Sequence, residues 1–349
     1  MKSIGDNDVT QDVAVDEQFL RMLTGYWLSK CLGVVARLGV ADLMQHAPRT
    51  CDELAAETGA DPQALYRVLR GLASEGVFAE SAPGEFELTP LAERLLSNSP
   101  SSMRNAAVKY ASESFEAWSL LENTVRTGTP GFEHAFGCGC FDYFQDRPET
   151  AAVFDHAMGE LGRTMYSNAA ILDAYDFDTD QTIVDVGGGG GSFLNDILDA
   201  APASRGVLFD QPHVIEAARQ RLDGTDLLSR CECVGGDFFK SVIAGGDLYL
   251  LKRIIHDWSD HRSIQILMNC RRAMSNDGRL LILETVLPEN GGRHFGKLLD
   301  LHMMVVTGGR ERTAQQYDQL LQAAGFRLAR LIPTACLISL VEAEPATSG

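Results

Sequence analysis

The stretch IVDVGGGGGSFL, residues 183–194, decides the fold of the C-terminal half. A short apolar run, suited to a buried parallel strand, enters five consecutive glycines and leaves into a second apolar segment. Glycines after a first strand let the backbone come close to a ligand, and three ligand classes use that arrangement. A nucleotide phosphate loop needs GxxxxGK followed by Ser or Thr, and no lysine follows Gly191. A dinucleotide fingerprint needs a small third residue in GxGxxG; counting from Gly187 and Gly189 reaches Ser192, and counting from Gly188 reaches Phe193. The spacing that fits is Asp185-x-Gly187-x-Gly189-x-Gly191, which suits a nucleoside cofactor without phosphate.

Outward from that loop, apolar runs at 182–186, 205–210, 230–235, 247–252, 279–285, 326–332 and 336–342 alternate with helical periodicity. This predicts a mostly parallel α/β sheet of seven strands. The last two runs are separated by little more than PTA, too short for a crossover, so they should pair antiparallel at one edge. Acids close three of the strands. Asp185 can accept from an ammonium or from water. Asp210 ends GVLFD about twenty residues on, where a carboxylate accepts both ribose hydroxyls, although dinucleotide enzymes place an acid there too. Asp237 in GGDFF can take an adenine amino hydrogen while Phe238 packs on the ring. Three acids with no basic clamp make a poor phosphate site and a good nucleoside site.

The chain has 349 residues, 45% hydrophobic and 22% charged, which is ordinary globular composition and long enough for two domains. A formal charge of −18 opposes general binding to nucleic acid or anionic membrane. No apolar run reaches the roughly 18 residues of a membrane span. The polar start MKSIGDNDVTQDVAVDEQF resembles no leader, so a cytoplasmic protein is expected. Eight scattered cysteines form no CxxC pair, and Cys138, Cys140 and His134 read as ordinary side chains. Residues 17–46 predict an apolar helix pair punctuated by Gly33 and Gly39, with a surface wide enough to need a partner chain. A helix capped by Thr50 or Asp52, a helix over PQALYRVLRGLASEG and the strands VFAES and EFELTP follow in winged helix-turn-helix order. Its three arginines are outnumbered by acids such as Glu53, Glu57, Glu80 and Glu85, so packing and dimerisation are expected rather than DNA reading. Residues 101–175 predict helices interspersed with aromatics and methionines, Met158 among them, a subset of which can wall a flat apolar substrate.

Taken together, DVGGGGG, FDQPHVIEAAR, GDFF, LKRIIHDWSD, LILETVLP and GGRERTAQQYDQLLQAAGF occur in the order found in S-adenosylmethionine-dependent O-methyltransferases of small aromatic molecules. The chain resembles this family, the plant caffeate and flavonoid type and its bacterial secondary-metabolite relatives, over nearly its whole length. The resemblance implies a Rossmann-like seven-stranded methyltransferase sheet over 176–349, a helical connector and pocket wall over 101–175, and a mainly α, winged-helix dimerisation domain over 1–100. It implies a homodimer and transfer to a phenolic hydroxyl, with S-adenosyl-L-homocysteine as product and no metal. Gly187, Gly189, Asp185, Asp210, Asp237, Phe238 and Lys252 match residues around the cofactor. His256 matches the general base, and Glu284 and Glu311 match the acids that flank it. Met158, Asp257, His302 and Met303 are the expected substrate contacts.

A phenol with a pKa near 10 is a poor nucleophile until an imidazole takes its proton. The competing residue-level reading makes His256 a helix-start histidine, with Asp257 or Ser259 as cap. Competing functions are N-methylation of an aromatic heterocycle, a methyltransferase fold turned to hydroxylation or decarboxylation, and a winged-helix regulator. Metal-dependent transfer to catechols would need a carboxylate cluster, and none is visible in the spacing.

Overall fold

The computed structural model describes residues 6–177, 181–222 and 226–346. The chain divides into two compact units, Met1–Glu116 with Phe141–Leu161, and Ala117–Cys140 with Gly162–Gly349. Residues 101–175 are thus apportioned to both. Among the described residues no helix is long and apolar enough to cross a membrane.

The first unit starts with a continuous helix, Asp6–Leu38, ended by Gly39 in the left-handed conformation. Gly33 is therefore not a break. It lies where the helix Arg104–Ala111 crosses, and a Cβ there would stand 2.1 Å from the Ala111 Cβ. The glycine marks a close approach of two helices, which spacing alone does not distinguish from a stop. Thr50, and not Asp52, caps the helix Cys51–Thr58 in a reciprocal pair with Glu53. The helix Pro62–Ser74 follows, then the antiparallel strands Phe78–Ala82 and Glu85–Leu88, the latter also paired with Arg49–Thr50. Leu54, Leu69, Leu72, Phe78 and Phe86 form the closed core of this winged helix.

The second unit is built on seven strands: β1 Thr182–Val186, β2 Arg205–Asp210, β3 Cys231–Gly235, β4 Leu248–Lys252, β5 Arg279–Glu284, β6 Phe326–Pro333 and β7 Ser339–Pro345. Their spatial order is 6-7-5-4-1-2-3. β7 runs antiparallel to both β5 and β6, while β3, β2, β1, β4 and β5 are mutually parallel. Buried Val184, Leu251, Ile282, Ile266 and Tyr317 belong to one apolar core that joins sheet and helices. Since β1 and β4 are neighbours, their connections leave to opposite sides, and the crevice beyond their carboxyl ends is where such sheets hold ligands.

Candidate active site

The glycine loop leaves β1 with Gly187, Gly189 and Gly191 all in the left-handed region, at φ 76°, 57° and 77°. These are the three alternate positions, and Gly190 is not among the positive-φ residues, so a side chain there meets no backbone penalty. A Cβ on Gly187 would stand 2.4 Å from Ile254 Cδ1 and 3.6 Å from Phe238, which draws the ends of β3 and β4 against the loop. Gly191 begins the helix Ser192–Ala200.

Asp185 is buried under this loop, and its Oδ1 has no hydrogen-bond partner. Burial pushes its carboxyl up to about 7, with Lys252 pulling the other way. Asp210 accepts from the backbone N–H of Gly189 at 2.8 Å and of Gln211 at 2.6 Å. Asp237 already has local partners: it accepts from Phe239 N at 2.9 Å and lies 3.2 Å from Lys240 Nζ. Phe238 meets Phe239 edge-on at 4.8 Å. Lys252 projects from the end of β4, donates to Asn168 Oδ1 and stands 4.3 Å above the Phe193 ring. Burial pulls its ammonium down to about 8, and the Asp185 charge partly restores it. It acts as a counter-charge to Asp185 rather than as a phosphate clamp.

His256 lies in a short 3₁₀ turn, Ile255–Asp257, and not in the following helix, whose N-cap Ser259 makes no side-chain capping bond. The turn is held on every side. Glu284, at the end of β5, accepts from His256 N at 3.2 Å, and Arg310 N donates to His256 O at 2.7 Å. Buried Arg312 donates to Ile255 O at 3.0 Å and to Trp258 O at 2.8 Å while paired with Asp260. Gly309 makes the crossing possible: a Cβ there would stand 2.0 Å from His256 O.

Glu311 is brought in by a parallel two-residue bridge that pairs Arg312 with Val286, two residues beyond Glu284. Its N–H donates to Asp300 Oδ1 at 2.8 Å, and its Oε1 lies 3.1 Å from His256 Nδ1. Burial opposes ionisation of Glu311, but His256 and Arg253 outweigh it and hold the carboxyl below its usual range. An ionised carboxylate only accepts, so Nδ1 carries the proton and the neutral ring offers its lone pair at Nε2. Burial and Arg253 depress the His256 pKa, yet Asp257, Glu284 and Glu311 together raise it above the ordinary histidine value. Burial pushes Glu284 up to about 6.

Arg253 belongs to no motif that marks it in the sequence. Among the described residues it is the one non-glycine with positive φ, 59°, a conformation that costs about 1–2 kcal/mol outside glycine. Its Nη1 lies 3.2 Å from Glu311 and 3.6 Å from Glu284, and its guanidinium stacks 4.3 Å over Tyr166. That positive φ is conformational and leaves no mark in the residue string. The two acids expected to flank His256 do lie beside it. His256, Glu284 and Glu311 bring ligand atoms within 4.8 Å of one another, from segments too far apart for any spacing motif. Both carboxylates already face the Arg253 guanidinium, and His256 Nδ1 donates to Glu311, so a metal would have to displace both contacts.

Of the expected substrate contacts, Asp257 lies beside the ring, its Oδ1 3.6 Å from His256 Nε2. His302 and Met303 are buried on the helix Phe295–Val306, which also carries Asp300. Trp118 Nε1 donates to His302 Nδ1 at 3.0 Å. Met158, a residue of the first unit, is exposed on the helix Pro148–Met165. His294 caps the helix it precedes, accepting from Gly296 N at 3.1 Å.

A family model described as an O-methyltransferase domain matches residues 118–327, and one described as an O-methyltransferase dimerisation domain matches 20–98. The chain is 48% identical to a phenazine O-methyltransferase of Lysobacter antibioticus over 97% of this chain and 99% of that one. It is 38% identical to an 8-amino-8-demethylriboflavin N,N-dimethyltransferase of Streptomyces davaonensis, over 89% of this chain and 90% of that one. A solved O-methyltransferase from neocarzinostatin biosynthesis, in complex with S-adenosylmethionine and 2-hydroxy-5-methyl naphthoic acid, superposes with TM-score 0.80 at 29% identity. That match covers 91% of this chain and 95% of the other.

Proposed function

The chain belongs to the O-methyltransferase family, and from that premise we propose that it transfers a methyl group from S-adenosylmethionine to a hydroxyl of a small planar aromatic acceptor, with His256 as general base. The observation that carries this reading is the orientation of the His256 ring, with Nδ1 on an ionised Glu311 and the Nε2 lone pair left for a substrate proton. A carboxylate on the far nitrogen fixes the tautomer and stabilises the imidazolium, the part such a group plays in a catalytic triad.

The residues under the loop suit this donor. Gly187 and Gly189 admit a close backbone approach, with open space where a Gly189 Cβ would stand. Asp185 offers a buried, unpartnered oxygen to an ammonium, and Asp210 faces the loop with a carboxylate that can accept from a ribose diol. Asp237 and Phe238 are assigned to the adenine and Lys252 to the ribosyl-methionine end. When bound, S-adenosylmethionine supplies an electrophilic sulfonium methyl: the acceptor oxygen bonds to carbon as the carbon–sulfur bond breaks and the sulfur becomes a neutral thioether. His256 takes the hydroxyl proton on Nε2 in the same step. Asp257, His302 and Met303 are assigned to the acceptor. Family membership together with the exposed apolar face of the N-terminal helix supports a homodimer.

N-methylation is the second reading, favoured by the riboflavin-type relative that acts on an amine. An uncharged nitrogen nucleophile has less need of His256. Methyl-labelled S-adenosylmethionine incubated with paired phenolic and amino heteroaromatic acceptors separates the two. For a hydroxyl acceptor, His256→Ala should lower kcat by about 10²–10⁴-fold. The wild-type rate should rise with pH through a value above the ordinary histidine pKa, because the base must be unprotonated and its pKa is raised. Undiminished transfer by the alanine variant would remove the base, and transfer confined to amino acceptors would select the second reading.

A further inference from the structure

We propose that Arg253 is a positioning residue: its guanidinium, between Glu284 and Glu311, keeps Glu311 the ionised acceptor of the His256 Nδ1–H and keeps the imidazole neutral until it takes the acceptor's proton. The proposal rests on the reading of His256 as base.

Three observations carry it. The first is charge. Glu284, Glu311 and a neutral His256 would hold two negative charges in one buried cluster, next to Asp257 at 3.6 Å from Nε2. Such a cluster would bind a proton on the imidazole before substrate arrives. Arg253 reduces the resting charge of the Glu–Glu–His group to one negative unit, and protonation of His256 then brings it to zero. The proton lost by the hydroxyl therefore completes the charge balance of the cluster.

The second is geometry. Arg253 Nη1 and His256 Nδ1 share one oxygen, Glu311 Oε1, at 3.2 and 3.1 Å. A guanidinium cannot accept, so it holds that carboxylate in place without competing for the imidazole proton. Its position is fixed from the other face by the Tyr166 ring, and its own N–H extends the β4–β5 ladder to Leu283 O at 3.1 Å. The third is the backbone. Glycine would take the φ of 59° without penalty, so the conformation is held for what the side chain does.

The test uses Arg253→Met, Arg253→Lys and Arg253→Met combined with Glu284→Gln, in the full-length enzyme. The ring titration of His256 is followed by NMR on histidine-labelled protein, assigned by His256→Ala, alongside kcat against pH. In Arg253→Met the ring titration and the acid limb of kcat should both move up by about one to two pH units. That is about a ten- to hundredfold loss at neutral pH, recovered in alkali. Arg253→Lys should restore most of the shift. The double variant, with one charge of each sign removed, should return the limb towards the wild-type position and serves if the single methionine variant does not fold. A uniform drop in kcat with an unmoved ring titration would overturn the proposal. The titration reads Arg253 without turnover, so a base-independent reaction, seen as an active His256→Ala, would sink the base reading while still scoring the effect of Arg253 on the ring.

Discussion

The ligand role proposed for Asp185 and its cost to the fold pull in opposite directions. Its position under the glycine loop suits an ammonium, but in the free protein a buried carboxylate with an unpartnered oxygen is costly. Its folded pKa, about 7, is raised above the unfolded value. The stabilising contribution of the protonated form is complete below pH 4 or so and is lost as pH rises through about 7. Asparagine, neutral at every pH, escapes that loss. Asp185→Asn should therefore melt higher than wild type at pH 8, by about 2–4 °C for each kcal/mol recovered. The difference should shrink as pH falls below 7 and vanish below about pH 4, and S-adenosylmethionine should bind about tenfold or more weakly without the charge-assisted contact. Differential scanning fluorimetry across pH and calorimetric titration check both halves, and a lower melting point at pH 8 would refute the argument.

At the scale of elements, the segment that follows the helix Phe295–Val306 does most to shape the cluster of His256, Glu284 and Glu311. It crosses the His256 turn at Gly309, pairs with Val286–Leu287 and so sets Glu311 beside Glu284. Gly309→Ala would put a Cβ into the His256 carbonyl, so the turn must move. We expect kcat to fall at least a hundredfold while affinity for S-adenosylmethionine changes little, because the glycine loop leaves a different strand. Wild-type kcat in a folded alanine variant would contradict this. The elements that run straight were legible in advance. The main-sheet strands read as largely apolar runs; β2, β4 and β5 end on Asp210, Lys252 and Glu284, Asp185 is the last but one residue of β1, and Asp237 lies just past β3. What stayed hidden depends on crossings and backbone angles. The two-residue bridge that sets Glu311 beside Glu284 is too short to leave a pattern, so family resemblance and not spacing pairs them, and Arg253 in LKRII reads as one more solvated charge. Gly33 and Gly39 look alike as letters, yet one marks a contact and the other a stop.

At the scale of the whole molecule, the N-terminal helix needs a counterpart. Phe19, Met22, Tyr26 and Trp27 are each more than half exposed along a helix of 33 residues, roughly 50 Å. A monomer rarely leaves such a stripe open to water. Phe19→Glu with Trp27→Glu should convert a dimer to a monomer at micromolar concentration in light scattering, with the far-ultraviolet circular dichroism unchanged because neither side chain is buried. A wild-type monomer, or a variant that stays dimeric, would refute the assignment.

The reversed strand β7 has a practical consequence. Its first residue, Ser339, pairs with Glu284 at the catalytic rim, whereas its last, Pro345, pairs with Phe326 at the opposite end of the sheet. Pro345 and Ala346 therefore lie at the rim of the sheet opposite Glu284, where Ala346 N donates to Gly325 O at 2.9 Å. A surface tether, fluorophore or fused domain attached there would leave the approach of donor and acceptor unobstructed, which makes this end the natural handle for immobilising the catalyst.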